Sequence, residues 1–360
     1  MKNFQNVFKN KTIIVTGHTG FKGSWLTFWL KKLGAKVIGV SSNYITKPSN
    51  FEILGLKRDI SHKKMDIRNL KNIKKLIKSS KPDFIFHLAA QSLVKKSYNY
   101  PIETITTNSI GTLNILDSLR SLKKRCTVIL ITSDKSYRNM EIKRGYKETD
   151  ILGGYDPYSA SKASAELLIQ SYINSYFKFK KNKILVGVAR AGNVIGGGDW
   201  SPDRLVPDCM KSWSKKKKVI IRNPNSTRPW QHVFEAIGGY LLFAAKLRNN
   251  SNLHGEVFNF GPANNKTYNV LKLVKKMREH WNNVSWHIKK INTKQYESNL
   301  LKLNCSKAKK KLKWRSILNF NETIEISTKW YKKYYTNPKK IREYSNEQIC
   351  HYEKLLKERL

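Results

Sequence analysis

What most constrains this chain is a regular alternation of apolar strand and helix that opens on a glycine-rich turn. The stretch Thr12 to Leu26, TIIVTGHTGFKGSWL, starts as a strand and ends as a helix, with glycines at Gly17, Gly20 and Gly23. KVIGV, HKKMDI, DFIFHLAA, TVILITS and KILVGVAR read as further strands. Between them GSWLTFWLKKLGA, NLKNIKKLIKSS, ETITTNSIGTLNILDSLRSL and PYSASKASAELLIQSYINSYF read as helices. Pro157 stands near the start of the last one, where proline is tolerated. Strand and helix in strict alternation imply a parallel sheet covered on both faces.

A glycine-rich turn after the first strand of such a sheet points to the doubly wound, Rossmann-type dinucleotide fold. The first glycine makes the tight turn, the second lets backbone approach phosphate, and the third allows close helix–strand packing. The helix N-terminus attracts the anion. Gly17, His18, Thr19, Gly20, Phe21, Lys22 and Gly23 are therefore expected at the cofactor. Lys22 reaches the pyrophosphate or a ribose hydroxyl in one reading, and is a solvated first-turn lysine in the other. An acidic residue about 20 positions on usually binds the adenine ribose, yet Ser41, Ser42 and Asn43 occupy that place. Asp66 is positioned to bond the adenine amine, or else to cap the helix that follows. Ile67, Leu88, Ala89 and Ala90 complete the expected cofactor set.

After Arg190 the alternation loosens into AGNVIGGGDWSPDRLVP, then a helix begun by RPWQHVFEAIGGYLLFAAKL and a short strand in GEVFNFGP. We expect an NAD-binding domain over 1–190, to which 230–262 return. A smaller substrate-binding domain takes 191–229 and 263–360. It includes a polar tail from Asn337 whose purpose the sequence does not disclose.

Composition narrows the class. The 360 residues are 40% hydrophobic, enough for a core, and no apolar run reaches membrane-span length. The N-terminal MKNFQNVFKNK has no apolar signal region, so the expected compartment is the cytoplasm. Cys126, Cys209, Cys305 and Cys350 lie far apart, which supports neither a disulfide framework nor a metal site. The formal net charge is +44. Lysines occur almost everywhere and no nucleic-acid motif accompanies them, so the charge reads as solvated faces. It would still attract an anionic substrate. A basic, non-catalytic nucleotide-binding protein is the rival from a different class, and steeply salt-dependent nucleic-acid binding would mark it.

Tyr158 and Lys162 stand at i and i+4, one above the other on a helix. A nearby ammonium favours tyrosinate, so Tyr158 suits a general base, with Lys162 free to hold a nicotinamide ribose. At the carboxyl end of the fifth strand stands ITSDK, Ile131 to Lys135. Ligands of open α/β sheets bind at that end. Asn193 is an amide donor for sugar or diphosphate. Arg228 and Arg204 are anion ligands or surface ion-pair partners, arginine being able to grip phosphate bidentately.

VTGHTGFKGSWL, HLAAQSLVKKSY, TSDKSYRN, GGYDPYSASKASAE, RAGNVIGGGDW and RPWQHVFE together resemble the CDP-glucose 4,6-dehydratases, a subgroup of the extended short-chain dehydrogenase/reductases. The resemblance runs from about Lys11 to about Phe260 and is looser beyond. It implies NAD as cofactor, CDP-glucose as substrate, and a product destined for deoxysugars of surface polysaccharide. It implies that Tyr158 takes the proton of the 4-hydroxyl, that Ser133 beside Thr132 bonds the 4-oxygen, and that Asp134 protonates the departing 6-hydroxyl. Related dehydratases carry Glu where this chain has Lys135. Lys135 is thus the C5 base if neutral, or a charged positioning group. Glu148 and Asp150 are the next candidates by sequence position. The resemblance also implies a homodimer paired through the long helices around Asn108 and Tyr158. A nucleotide-sugar 4-epimerase, which needs Tyr158 and NAD but no acid–base pair for C6, is the alternative. The choice of cytosine rests on the resemblance alone.

Overall fold

A computed structural model describes residues 6–178, 183–262, 267–282, 284–289 and 300–359. Its centre is a seven-stranded sheet. The strands are β1 (Thr12–Thr16), β2 (Lys36–Ser41), β3 (Ser61–Lys64), β4 (Phe84–His87), β5 (Cys126–Ile131), β6 (Ile184–Ala191) and, after four short strands outside this sheet, β11 (Val257–Phe260). Their spatial order is β11-β6-β5-β4-β1-β2-β3, and every pairing is parallel. This is the doubly wound arrangement. The order in which the chain adds strands switches sides between β1 and β4, and such a switch opens a crevice at the carboxyl ends. The inner strands read as unbroken apolar runs because both faces are covered: every residue of β4, β5 and β6 is buried.

Two glycines explain how the first turn fits. Gly17 has φ +73°, and a Cβ there would lie 2.7 Å from the Ala89 nitrogen. A Cβ on Gly23 would come within 2.1 Å of the Gly17 carbonyl oxygen. Any side chain at either position would push helix Phe21–Lys32 away from β1 and β4.

That helix is apolar nearly all round, which requires cover on both sides. The sheet supplies one side. The C-terminal helices Phe320–Thr336 and Ile341–Arg359 supply the other. Trp25 meets Trp330, while the Trp29 indole meets the Tyr352 ring and donates to Glu353 at 2.8 Å. Glu235, buried on helix Val233–Asn249, accepts from the Ile317 and Leu318 amides at 2.9 and 2.7 Å and from the Tyr352 hydroxyl at 2.9 Å. Composition alone marks the tail as a polar helix. In the structure its buried face holds the NAD-side helix in place.

The smaller lobe is built from helix Leu205–Trp213 and short strands. β7 (Val194–Ile195) pairs with β10 (Gln231–His232), β8 (Val219–Ile221) with β13 (Trp286–Ile288), and β9 (Thr227–Arg228) with β12 (Tyr268–Asn269). Among the described residues no helix is long and apolar enough to cross a membrane.

Candidate active site

One cavity of about 1240 Å³ runs from the glycine turn, past the carboxyl ends of β5 and β6, to the smaller lobe. That exceeds the usual small-ligand pocket and suits two ligands meeting end to end. At its middle, β5 ends and the chain turns sharply. Ser133 caps the short turn that follows: its hydroxyl accepts from the Lys135 amide at 3.2 Å and donates to Asp134 Oδ1 at 2.9 Å. Asp156 caps the helix Pro157–Tyr172 by accepting from the Ser159 amide at 2.9 Å. That cap fixes the first turn, which carries Tyr158. Thr132, Ser133, Asp134, Lys135, Tyr158 and Lys162 all line the cavity.

The electrostatics combine desolvated cations with a carboxyl whose pKa is raised. Burial pushes the Asp134 carboxyl above the usual range, against the pull of Lys135, Ser133 and Lys22. Its Oδ2 is buried with no hydrogen-bond partner among the described residues. Gly192 leaves it room, since a Cβ there would stand 3.1 Å from that oxygen. Burial pushes Tyr158 up to about 12, with Ser133 and Arg204 pulling the other way and Asp134 adding to the rise. The sequence reading assigns that pull to Lys162. Burial is the largest cause at Tyr158, and Lys162, on the next turn of the helix, is desolvated as well. Its own pKa falls to about 8 through burial and the nearby Lys22. Lys22 likewise falls to about 8, through burial and Arg204. Both stay mostly protonated near neutral pH, and an anion bound close by would raise both values again.

The cofactor side holds Gly17, Thr19, Gly20, Phe21, Lys22, Gly23, Asp66, Ile67, Leu88, Ala89 and Ala90 on the cavity wall. Asp66 does not cap the next helix. Asn69 does, while both Asp66 oxygens face Arg68, with an ion pair at 2.6 Å. His18 is the correction on this side. It points away from the cavity and lies fully buried beneath the loop. Its Nε2 meets His62 Nδ1 at 2.7 Å and its Nδ1 meets the Ser41 hydroxyl at 3.2 Å. Its ring fills the space over Gly39, where a Cβ would come within 2.4 Å, and burial pulls its pKa down to about 4. His18 is a neutral wedge that ties the glycine turn to β2 and β3.

On the sugar side Asn193, Arg204 and Arg228 line the cavity. Arg204 pairs with Asp199 at 2.9 Å and acts on Tyr158, so it reaches the reaction centre. Neither Glu148 nor Asp150 reaches the cavity. Glu148 Oε1 accepts from the Asn259 amide at 2.9 Å, and Asp150 is held by Arg144 at 2.7 Å. Both are thereby removed as stand-ins for Lys135. Among the described residues no group of three or more His, Cys, Asp or Glu could hold a metal.

The family model described as GDP-mannose 4,6 dehydratase matches residues 14–327. The chain belongs to this family. It is 42% identical over 332 residues to the CDP-glucose 4,6-dehydratase of Salmonella typhimurium, covering 91% of this chain and 92% of that protein. Its fold superposes on an epimerase of Methanothermobacter thermautotrophicus with TM-score 0.82 at 22% identity, covering 94% and 97% of the two chains. A dTDP-glucose 4,6-dehydratase of Bacillus anthracis in complex with NAD gives TM-score 0.72 at 21% identity, covering 90% and 97%.

Sequence reasoning missed what holds this dehydratase-family centre in place. Glu166 and Arg190 form a buried ion pair, each side chain 1% exposed. Arg190 Nε lies 2.8 and 2.9 Å from the two Glu166 oxygens. Glu166 also accepts from the Thr132 hydroxyl at 2.7 Å, and Arg190 donates to the Tyr137 hydroxyl at 2.6 Å. Tyr137 in turn donates to Asn259 Oδ1 at 2.8 Å. The pair therefore grips both ends of the segment that carries Ser133, Asp134 and Lys135. The signal was available: Glu166 lies one turn beyond Lys162, and Arg190 stands at the end of an apolar strand.

Proposed function

We propose that this chain is an NAD-dependent CDP-glucose 4,6-dehydratase, a hydro-lyase that yields CDP-4-dehydro-6-deoxyglucose. The carrying observation is Asp134, a buried carboxyl whose pKa burial raises, beside Tyr158 in a chain 42% identical to an enzyme of that name. An epimerase needs the phenol and the cofactor but has no use for that carboxyl. The glycine cradle at Gly17 and Gly23 fits a dinucleotide pyrophosphate, with Lys22 to neutralise it and Lys162 to hold the nicotinamide ribose. NAD, when bound, takes the hydride from C4 of the sugar and returns it to C6.

The chain's own residues do the rest. Tyr158 accepts the proton of the 4-hydroxyl, and Ser133 bonds the same oxygen. Oxidation to the 4-ketone acidifies C5. Lys135 is the half-buried amine placed to take that proton, and Asp134 gives its proton to the departing 6-hydroxyl, so water leaves across C5–C6. Arg204 and Arg228 hold the diphosphate, with Asn193 on the sugar.

The test is to incubate the pure protein with CDP-glucose in heavy water, with and without added NAD⁺, and follow mass and proton NMR. Loss of one water with deuterium at C5 is expected, and Tyr158→Phe should slow it by about 10²–10⁴-fold. An unchanged mass with inversion at C4 would establish the epimerase instead. No change with any nucleotide-glucose would leave a binding role only.

The same reading makes the protein a homodimer. Ile102, Ile105 and Ile110 are exposed along 101–119, Ile102 by 73%, and Leu167 is exposed on Pro157–Tyr172. Sedimentation should give twice the chain mass, with Ile102→Lys shifting it toward monomer. A monomeric wild type would reject this.

A further inference from the structure

Six carboxylates line the cavity: Asp66, Glu103, Asp134, Asp199, Asp203 and Asp208. Five have an evident occupation. Asp66 pairs with Arg68, Glu103 with Lys96 at 2.9 Å, and Asp199 with Arg204. Asp203 pairs with Lys95 at 2.5 Å and Arg222 at 3.0 Å. Asp134 is the acid at the reaction centre. Among the described residues Asp208 alone of the six has neither an ion pair within 4 Å nor a side-chain hydrogen bond. Lys211, its nearest lysine along the helix, is turned to the Trp200 carbonyl at 2.6 Å.

Its place is specific. Arg204, just before helix Leu205–Trp213, faces Tyr158. Asp208 lies one helical turn on, about 5.4 Å along the axis. It lines the same cavity, and Lys211, Asp203, Arg222 and Lys95 are the charged groups that act on it. Val206 and Pro207 on its helix, and Ile220 and Ile221 on β8, which packs against that helix, line the cavity too, and Ile220 is exposed although aliphatic. An apolar wall with one polar group is how a site takes a flat ring and orients it.

A bare carboxylate repels a diphosphate, so whatever it meets must donate. The sugar hydroxyls are donors, but they belong beside Tyr158. At the other end of a nucleotide sugar is the base. Cytosine presents a 4-amino donor where uracil and thymine present a carbonyl oxygen, and carboxylate accepting from that amine is an established pairing. We propose that Asp208 reads the 4-amino group and so selects a cytosine nucleotide over a uracil one. This rests on the nucleotide-sugar reading of the cavity.

The experiment measures binding of CMP and UMP by calorimetry, and kcat/KM for CDP-glucose and UDP-glucose, for the wild type, Asp208→Asn and Asp208→Ser. The wild type should prefer cytosine by roughly ten- to hundredfold, and both variants should bring the ratio toward one. A wild type that binds CMP and UMP alike overturns the proposal, as do folded variants that keep the preference. The wild-type ratio decides alone if neither variant folds. Selective CMP binding without turnover of any nucleotide-glucose would sink the dehydratase reading and leave this one standing. Turnover without base preference would do the reverse.

Discussion

Asp134→Asn should stop water loss while leaving the first oxidation intact. The physical reason is the separation of two proton jobs. Tyr158 handles the 4-hydroxyl, and nothing in that step needs the Asp134 proton. The 6-hydroxyl is a poor leaving group unless protonated as it departs, and Asp134 is the carboxyl whose pKa burial raises, with Oδ2 lacking a hydrogen-bond partner among the described residues. Asparagine keeps the shape and can still bond the oxygen, but it has no acidic proton to give. Overall turnover should fall by about 10²–10⁴-fold. The reduced nicotinamide should build up to a visible steady level, and C5 of the recovered sugar should still exchange with heavy water. Lys135→Met should give the opposite pattern, with C5 exchange lost. Water loss at the wild-type rate in Asp134→Asn would show that another group is the acid. C5 exchange that survives in Lys135→Met would leave Lys135 as a charged positioning residue.

The parts of this molecule that were legible in its sequence are those set by local rules. Strand–helix alternation specified the parallel sheet, because residues that alternate in a covered sheet must be apolar throughout. Gly17 and Gly23 were legible because only glycine fits those contacts. Tyr158 and Lys162 were legible as neighbours because i and i+4 share a helix face. What failed was non-local. His18 looks like a cofactor contact from its place between glycines, yet it is turned inward by a hole over Gly39 and by His62, 44 positions away. The tail helix showed its polar face to composition, while Tyr352 and Ile349 on its other face were needed to cover Trp29 and its neighbours. The spacing of Tyr158 and Lys162 makes them neighbours without saying where either titrates. Spacing cannot weigh burial, and burial dominates both groups.

The largest stability effect should come from splitting Glu166 from Arg190. A buried ion pair adds little net stability as a pair, because desolvating two charges offsets their attraction. Removing one partner is different, since the other charge is left in an interior that cannot solvate it. Arg190→Met or Glu166→Met alone should each cost about 3–5 kcal/mol in urea unfolding. Glu166→Met with Arg190→Met together should recover much of that loss, since two apolar side chains can share the space. Turnover should not recover with it. Thr132 loses its acceptor and Tyr137 loses its donor in the double variant, so the segment carrying Ser133, Asp134 and Lys135 is no longer gripped at both ends. A double variant that regains both stability and full kcat would mean that the pair only fills the core. Single variants that lose less than about 1 kcal/mol would mean that water reaches the site and the charges were never desolvated. Restored folding with kcat still depressed is the outcome this geometry requires, because the interactions that orient the reacting groups pass through these two side chains and through no apolar substitute for them.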